Sequence, residues 1–400
     1  MLLARTMRIG LLLAARSRRT ILGHRDGRGW ASSFIVHRRL PSRKPPPPTS
    51  PFVGDVGRRR SVARCMRPAS SFSSTSSSSS SSSSFEAPEP PTSHGTPVFP
   101  DIEFRRGNDN DEGVTTATGR RNADEDAIFV VSGSSRGIGL QFVIALLGRT
   151  AGKVLACCRS PSSARRLNEL IDAYPDRLVV MPLDLEDQST INDLARTIAT
   201  EYRRVDVLLN VAGILGDGGR TTSGPERSIS GIEREWMERS FIVNVIGPTM
   251  LTRALSPLMR TNGGRKFARV TCGGITDGDV VEVELPIGRP PTIIVNLSAR
   301  VGSISDNMSG GWYSYRMSKS ALNMATRTMG HELRRQGTWI VSLHPGTTDT
   351  ELSSPFRRGV DGRRLFPVEF TVEKLLAVIE SLDDRNTGGF YDWAGKALPF

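Results

Sequence analysis

The feature that most constrains this chain is a junction between a buried strand and a glycine-rich turn. The apolar run Ala127-Ile128-Phe129-Val130-Val131-Ser132 stops at Gly133, crosses Ser134-Ser135-Arg136, and enters Gly137-Ile138-Gly139. Apolar residues then recur at helical spacing, at Ile138, Phe142, Ala145 and Leu146. An uninterrupted apolar run bounded by turn residues reads as a strand covered on both faces. Gly133 permits the tight turn, and the later glycines let backbone approach a pyrophosphate at the head of a helix, where free N–H groups favour anions. The arrangement predicts a dinucleotide site lined by Gly133, Ser135, Arg136, Gly137, Ile138 and Gly139.

The same alternation continues. Strands are expected over residues 153–158, 178–185, 205–213, 292–298 and 338–346, and helices over 162–174, up to 202, over 232–259 and over 313–336. Buried strands alternating with helices imply a parallel sheet with helices on both faces. The expected fold class is therefore α/β, a doubly wound Rossmann-type sheet in a single domain spanning residues 123–400. Residues 261–291 are too long and polar for an ordinary connection of roughly 2–6 residues. They read as an insertion, in which Val280-Val281-Glu282-Val283-Glu284-Leu285 has the alternation of a small surface hairpin.

Charge separates the front of the chain from this body. The net charge of the 400 residues is +12, but residues 1–68 hold sixteen Lys/Arg against two Asp/Glu, and the remainder holds 37 against 39. A nucleic-acid-binding body, which needs a basic face of its own, is disfavoured. Residues 1–20 interleave leucine with arginine and contain no acid; a proline run (45–48) and a serine tract (73–84) follow. Residues 1–85 are expected to be a disordered organellar presequence, mitochondrial or alternatively plastid, and residues 86–122 a polar linker. No apolar run of about 18 residues exists, so no membrane span is expected. Cys65, Cys157, Cys158 and Cys272 form no CxxC pair, and His331 and His344 lack partners at ligand spacing, so no metal site is expected.

The end of the second strand bears on cofactor choice. An acid there would hold the 2′-hydroxyl of NAD and repel a 2′-phosphate. Here the strand ends Cys158-Arg159-Ser160. Arg159 and Arg136 offer guanidinium donors suited to phosphate, which favours NADP(H) over NAD(H).

Tyr315 and Lys319, four residues apart on the helix after residues 292–298, share one helix face. An ammonium so placed lowers a phenol's pKa from about 10 toward working pH, making Tyr315 a proton donor to a carbonyl oxygen. The glycine turn, Asn210-Val211-Ala212-Gly213, Tyr315-Arg316-Met317-Ser318-Lys319 and His344-Pro345-Gly346 follow one another in this order. On these motifs, residues 125–400 resemble the short-chain dehydrogenases/reductases. More narrowly, the stretches 296–304, 313–323 and 388–400 are similar to the C-factor and sniffer-like carbonyl reductases. The resemblance implies hydride transfer to a carbonyl with Tyr315 as proton donor, Lys319 also binding the nicotinamide ribose, and Asn244 holding a relay water. It further implies Asp184 and Leu185 at the adenine end, Asn210 and Gly213 beside the ribose, and Pro345 and Thr350 near the carboxamide. Family members commonly pair through the helices at 232–259 and 313–336, which implies a homodimer or homotetramer.

One position departs from the family. Its second active-site serine, which orients the substrate carbonyl, is replaced by Ala299. Ser298 comes one residue early, and a one-residue offset in a strand turns a side chain to the other face. A bend at the strand end would bring in Ser298, taken here as the catalytic serine, or else Ser303. Loss of one such donor costs on the order of 10²–10³ in rate. The functional reading is an NADP(H)-dependent reductase of a small aldehyde or ketone. Two alternatives stay open: a catalytically weakened NADP(H)-binding interaction or signalling module, and a 3-oxoacyl reductase whose pocket mouth carries Arg357, Arg358, Arg363 and Arg364.

Overall fold

The computed structural model describes residues 117–216, 224–262, 266–273, 278–356 and 364–400. The presequence and the linker up to residue 116 lie outside the described residues, as do Arg357, Arg358 and Arg363. In chain order come α1 (Ala117–Ala123), β1 (Ile128–Ser132), α2 (Gly137–Arg149), β2 (Lys153–Cys158), α3 (Arg165–Ala173), β3 (Leu178–Pro182), α4 (Gln188–Thr197) and β4 (Val207–Asn210). Then follow α5 (Arg234–Phe241), α6 (Gly247–Leu255), β5 (Phe267–Cys272), β6 (Asp279–Glu284), β7 (Thr292–Leu297) and α7 (Tyr313–Leu333). The last are β8 (Thr338–His344), β9 (Thr347–Thr348), β10 (Leu365–Phe366), α8 (Val368–Glu380) and β11 (Phe390–Asp392).

Seven strands pair in parallel in the order β11-β8-β7-β4-β1-β2-β3. The doubly wound sheet expected from the alternation is thus what the chain forms. Successive strand residues feed opposite faces. Ile128, Val130, Leu155, Cys157, Leu208, Ile294 and Ile340 pack under α4 and α6. Phe129, Val131, Val154, Ala156, Cys158, Leu209, Val295 and Val341 pack under α2, α3 and α8. The order of winding reverses between β1 and β4, and the crevice beyond the carboxyl ends of those two strands is where open α/β sheets bind ligands.

The region 261–291 is a cover for the first face. β5 and β6 pair antiparallel, Phe267 opposite Glu284 and Cys272 opposite Asp279. Ala268, Val270, Cys272, Val283 and Leu285 point inward onto the cluster beneath α4 and α6. The helix expected over 232–259 is broken by one π turn, Ile242–Ile246, between α5 and α6, and ends in a 3-10 turn, Ser256–Met259.

At the amino end of the sheet, opposite the crevice, lies a buried charge network. Asp206, 1% exposed, accepts from Arg204 Nε (2.8 Å), Arg289 (3.3 Å) and the backbone N–H of Ile128 (2.9 Å). Arg204 also reaches Asp124 at 2.7 Å. Residues 117–122, read as linker from their polarity, instead join the folded body as most of α1. Arg121 is buried and donates to the Pro291 carbonyl, while Thr118 Oγ1 donates to the Glu380 carbonyl at 2.9 Å. Composition could not show this, because a long guanidinium stem packs as apolar surface while its head finds carbonyls. No helix among the described residues is long and apolar enough to cross a membrane. Among them, no three His, Cys, Asp or Glu side chains gather as a metal site.

Candidate active site

The glycine turn sits at the switch point. Gly133 has φ +70, and a Cβ there would fall 2.7 Å from Ala212 Cα at the end of β4. Gly139 is equally closed to a side chain, since its Cβ would fall 2.2 Å from the Gly133 carbonyl oxygen. Ser134 ties the turn to β2 by donating from both its N–H (3.1 Å) and its hydroxyl (3.0 Å) to the Cys157 carbonyl. Helix α2 starts from Arg136 in extended conformation with no side-chain cap. Its first N–H groups therefore lack intrahelical acceptors and face the crevice end of the sheet, a ready anion site. Ser135 and Ile138 lie in this turn, with Ile138 resting partly on the core. Thr350 is adjacent: its Cγ2 is 3.5 Å from where a Gly137 Cβ would be. Arg136 is exposed and pairs with Glu351 at 2.8 Å; Arg159, past the end of β2, is exposed with no ion-pair partner among the described residues.

The second half of the site is carried by α7. Tyr315 and Lys319 share a face as the spacing required, with Lys319 Nζ 5.7 Å from the Tyr315 ring centre. Lys319 Nζ donates to the Leu297 carbonyl at the end of β7 (2.8 Å). A Cβ on Gly213 would lie 3.6 Å from Lys319 Nζ and 3.2 Å from Asn244 Oδ1, so the turn after β4 faces both groups. Asn244, fully buried in the π turn, accepts from the Ile214 N–H (2.8 Å) and donates to the Ile214 carbonyl (3.0 Å) and Ser318 Oγ (3.1 Å). Such π turns in otherwise α-helical segments recur at functional sites.

Electrostatically the pair differs from expectation. Burial pushes the Tyr315 phenol above its ordinary value. Burial also pulls the Lys319 ammonium down to about 8. Both shifts favour the neutral form, as desolvation does for an acid and for a base alike. The Tyr315 hydroxyl has no hydrogen-bond partner among the described residues. It is available to an incoming acceptor.

Three of the predicted site residues turn their side chains to partners within the protein. Ser298 is not free to act: its Oγ donates to Asn323 Oδ1 at 2.7 Å, while extended Ala299 takes the other face. Ser303 Oγ accepts from the Asp306 N–H at 3.1 Å, a bond that leaves its own hydroxyl proton to donate. Asn210 turns its side chain into the sheet, donating to Asn296 Oδ1 (2.8 Å) and Thr252 Oγ1 (3.2 Å). Leu185 packs its side chain on α6, where a Cβ on Gly247 would come within 2.5 Å of Leu185 Cβ. Asp184 closes the turn before α4, its Oδ1 accepting from the Glu186 N–H at 3.0 Å. Pro345 lies at the crevice end of β8, its carbonyl accepting from Thr348 Oγ1 at 3.3 Å. His344 beside it is kept neutral, pushed down to about 4 by burial and by the Arg300 charge.

Sequence reasoning missed Glu226. This carboxylate, 4% exposed, holds the head of α7 by accepting from the Ser314 N–H (3.1 Å) and the Ser314 hydroxyl. The one local hint was that α7 begins behind Trp312, which has no capping side chain to offer.

A parallel sheet whose switch point joins an uncapped glycine turn to a half-buried tyrosine beside a buried lysine defines a dinucleotide-fold oxidoreductase. The chain matches the short chain dehydrogenase family over residues 127–270 and 286–361 and belongs to that family. The gap between the matched stretches falls on the β5–β6 hairpin. The chain is 32% identical over 196 residues to C-signal of Myxococcus xanthus, covering 49% of this chain and 93% of that protein. It is 25% identical over 288 residues to an uncharacterized oxidoreductase of Schizosaccharomyces pombe, 70% of this chain and all (100%) of that one. Among solved structures it is similar to an NADPH-bound carbonyl reductase from chicken fatty liver (TM-score 0.56, 27% identity, 69% of this chain, 99% of that chain). It is likewise similar to the carbonyl reductase Sniffer of D. melanogaster (TM-score 0.56, 26% identity, 69% and 100%).

Proposed function

We propose that this oxidoreductase reduces an aldehyde or ketone with NADP(H), using Tyr315 as proton donor. The observation that carries the reading is the unpartnered, neutral Tyr315 hydroxyl beside Lys319, facing the same crevice as the uncapped head of α2. The crevice fits a dinucleotide phosphate on its own terms. Gly133 and Gly139 leave no room for side chains, α2 presents free N–H groups, and Arg136 and Arg159 stand at the corner where β2 ends without an acid. Gly137, Gly213 and Thr350 line the path from that corner toward Lys319. When bound, the reduced nicotinamide supplies the two-electron reducing equivalent for the carbonyl carbon. The protein's part is protonic and positional. Tyr315 delivers its phenolic proton to the carbonyl oxygen, and its raised pKa keeps that proton in place at neutral pH. Lys319, fixed by the Leu297 carbonyl, stabilises the phenolate as it forms, when attraction between the two is largest. Asn244 braces the turn after β4 and, through Ser318, the second turn of α7.

A second reading, a dinucleotide-binding module with weakened chemistry, draws on one observation: Ala299 offers no hydroxyl, and Ser298 is committed to Asn323. NADPH oxidation by the full chain, followed with a panel of aldehydes, ketones, quinones and 3-oxoacyl thioesters, separates the readings. Turnover that falls by about 10²-fold or more in Tyr315→Phe, with NADPH affinity kept, supports the reductase. Tight NADPH binding with wild-type turnover no higher than Tyr315→Phe overturns it. Turnover confined to the thioesters would narrow the substrate to 3-oxoacyl groups.

A further inference from the structure

We infer that Glu226 is the positioning residue that sets Tyr315 and its neighbouring aromatic wall; the inference rests on the reading of Tyr315 as proton donor. Helix α7 begins two residues before Tyr315, and its N-cap, Trp312, contributes no capping side chain. The N–H groups of a first helical turn need acceptors from outside the helix. Glu226, 88 positions earlier in the chain than Ser314, supplies them. Its Oε2 accepts from the Ser314 N–H at 3.1 Å, its Oε1 from the Ser314 hydroxyl, and its backbone carbonyl from the Trp312 N–H at 2.5 Å. One residue thus closes three bonds on 312–314, and its negative charge suits a helix N-terminus.

The clamp has a consequence for the site. Trp312 is held at φ +53, a left-handed conformation that a bulky side chain avoids without outside support. In that conformation its ring stands edge-on to Tyr315, centres 6.2 Å apart, and leans on Phe356 at 5.6 Å. Arg316 secures the other flank, donating to the carbonyls of Gly310 (3.1 Å), Gly311 (3.0 Å) and Val301 (3.3 Å). No contact joins the Glu226 carboxylate to the phenol, so Glu226 acts through Ser314 and Trp312.

The experiment compares full-length wild type with Glu226→Gln, Glu226→Ala, Ser314→Ala and the Glu226→Ala/Ser314→Ala double variant. 4-Nitrobenzaldehyde is the carbonyl probe and NADPH fluorescence reports cofactor affinity. Positioning predicts that Glu226→Ala lowers kcat about 10- to 100-fold, as small misplacements of reacting groups do, with NADPH affinity within about twofold. Glu226→Gln, which keeps the shape and one acceptor, recovers most of that loss, and the double variant is no worse than Glu226→Ala alone. Wild-type kcat in Glu226→Ala, or losses in kcat and NADPH affinity of equal size, overturns the proposal. If wild type reduces nothing, the reductase reading fails separately. Amide hydrogen exchange then decides the clamp: at least tenfold faster exchange confined to residues 312–316 in Glu226→Ala or Ser314→Ala upholds it, and unchanged exchange overturns it.

Discussion

Lys319 Nζ lies 5.7 Å from the centre of the Tyr315 ring, one turn along α7, and burial drives the two groups toward neutrality from opposite directions. This has a signature in stability against pH. The folded Lys319 value, about 8, lies below its ordinary 10.5, so between those values the unfolded chain holds a proton that the folded chain lacks. Stability from this group is present above 10.5 and is lost as pH falls through about 8. Tyr315 has the opposite sign. Its contribution is complete below its ordinary 10.0 and is lost as pH rises beyond it. Urea unfolding of the cofactor-free protein should show a stability difference between wild type and Lys319→Met that climbs from pH 8 to 10, while the Cys157, Cys158 and Cys272 thiols, raised by burial above their ordinary 9.0, pull both proteins down alike at the upper end. That relative climb is on the order of 3 kcal/mol at most. Parallel curves for the two proteins would mean the ammonium is better solvated than its surroundings indicate.

Ala299 has extended backbone and its side chain takes the face opposite Ser298, so a hydroxyl placed there would face away from Asn323. Ala299→Ser should raise kcat for aldehydes by about 10-fold or more, since one well-aimed donor to a developing oxyanion is worth on the order of 10²–10³. The site is only 8% exposed, so a cost in stability of about 1–2 kcal/mol should accompany the gain. Steady-state kinetics on the two proteins with one aldehyde settles it. An unchanged or reduced kcat would show that the carbonyl is oriented by another group.

What could be read from the sequence was whatever repeats or carries its own local signal. The strands announced themselves as unbroken apolar runs, and Cys157 and Cys158 feed opposite faces as adjacent strand residues must. The glycine turn and the Tyr315–Lys319 spacing were equally plain. What could not be read has a common cause. Asn210 ends β4, and Leu185 and Ser298 lie just past the ends of β3 and β7, where a side chain can turn to the crevice or to the core and partners far away in sequence decide which. Asn296 and Thr252 claim Asn210, Gly247 makes room for Leu185, and Asn323 claims Ser298. Glu226 lies in an aperiodic loop and shows its purpose only where α7 folds back on it.

Asp206 should be the most costly charge to remove. Arg204 and Arg289, both nearly buried, converge on it, and it also holds the Ile128 N–H at the first residue of β1. Breaking a buried network by removing one partner leaves uncompensated charge and costs about 3–5 kcal/mol. Asp206→Ala should lower the denaturation midpoint accordingly. Because the network lies at the end of the sheet away from Tyr315, kcat per folded molecule should be unchanged. Denaturant unfolding beside active-fraction kinetics tests both halves, and a loss of kcat without a loss of stability contradicts the assignment.

Arg136 and Glu351 join the two sides of the phosphate corner at 2.8 Å, but both side chains are well over half exposed, at 69% and 74%. An exposed pair of this kind is worth about 0–1 kcal/mol, whereas charge-assisted bonds to a phosphate are roughly twice as strong as neutral ones. A 2′-phosphate should therefore take Arg136 from Glu351. Arg136→Ala and Arg159→Ala should each weaken NADPH binding by about 10-fold, corresponding to about 1.4 kcal/mol, while NADH binding changes little. Glu351→Gln should tighten NADPH by up to about 5-fold, with the gain shrinking as salt rises. Fluorescence titrations of NADPH and NADH at two salt concentrations provide the measurement. Equal losses for both cofactors in the arginine variants would place these side chains on the pyrophosphate rather than on the 2′-phosphate, and preference for NADP(H) would then need another source.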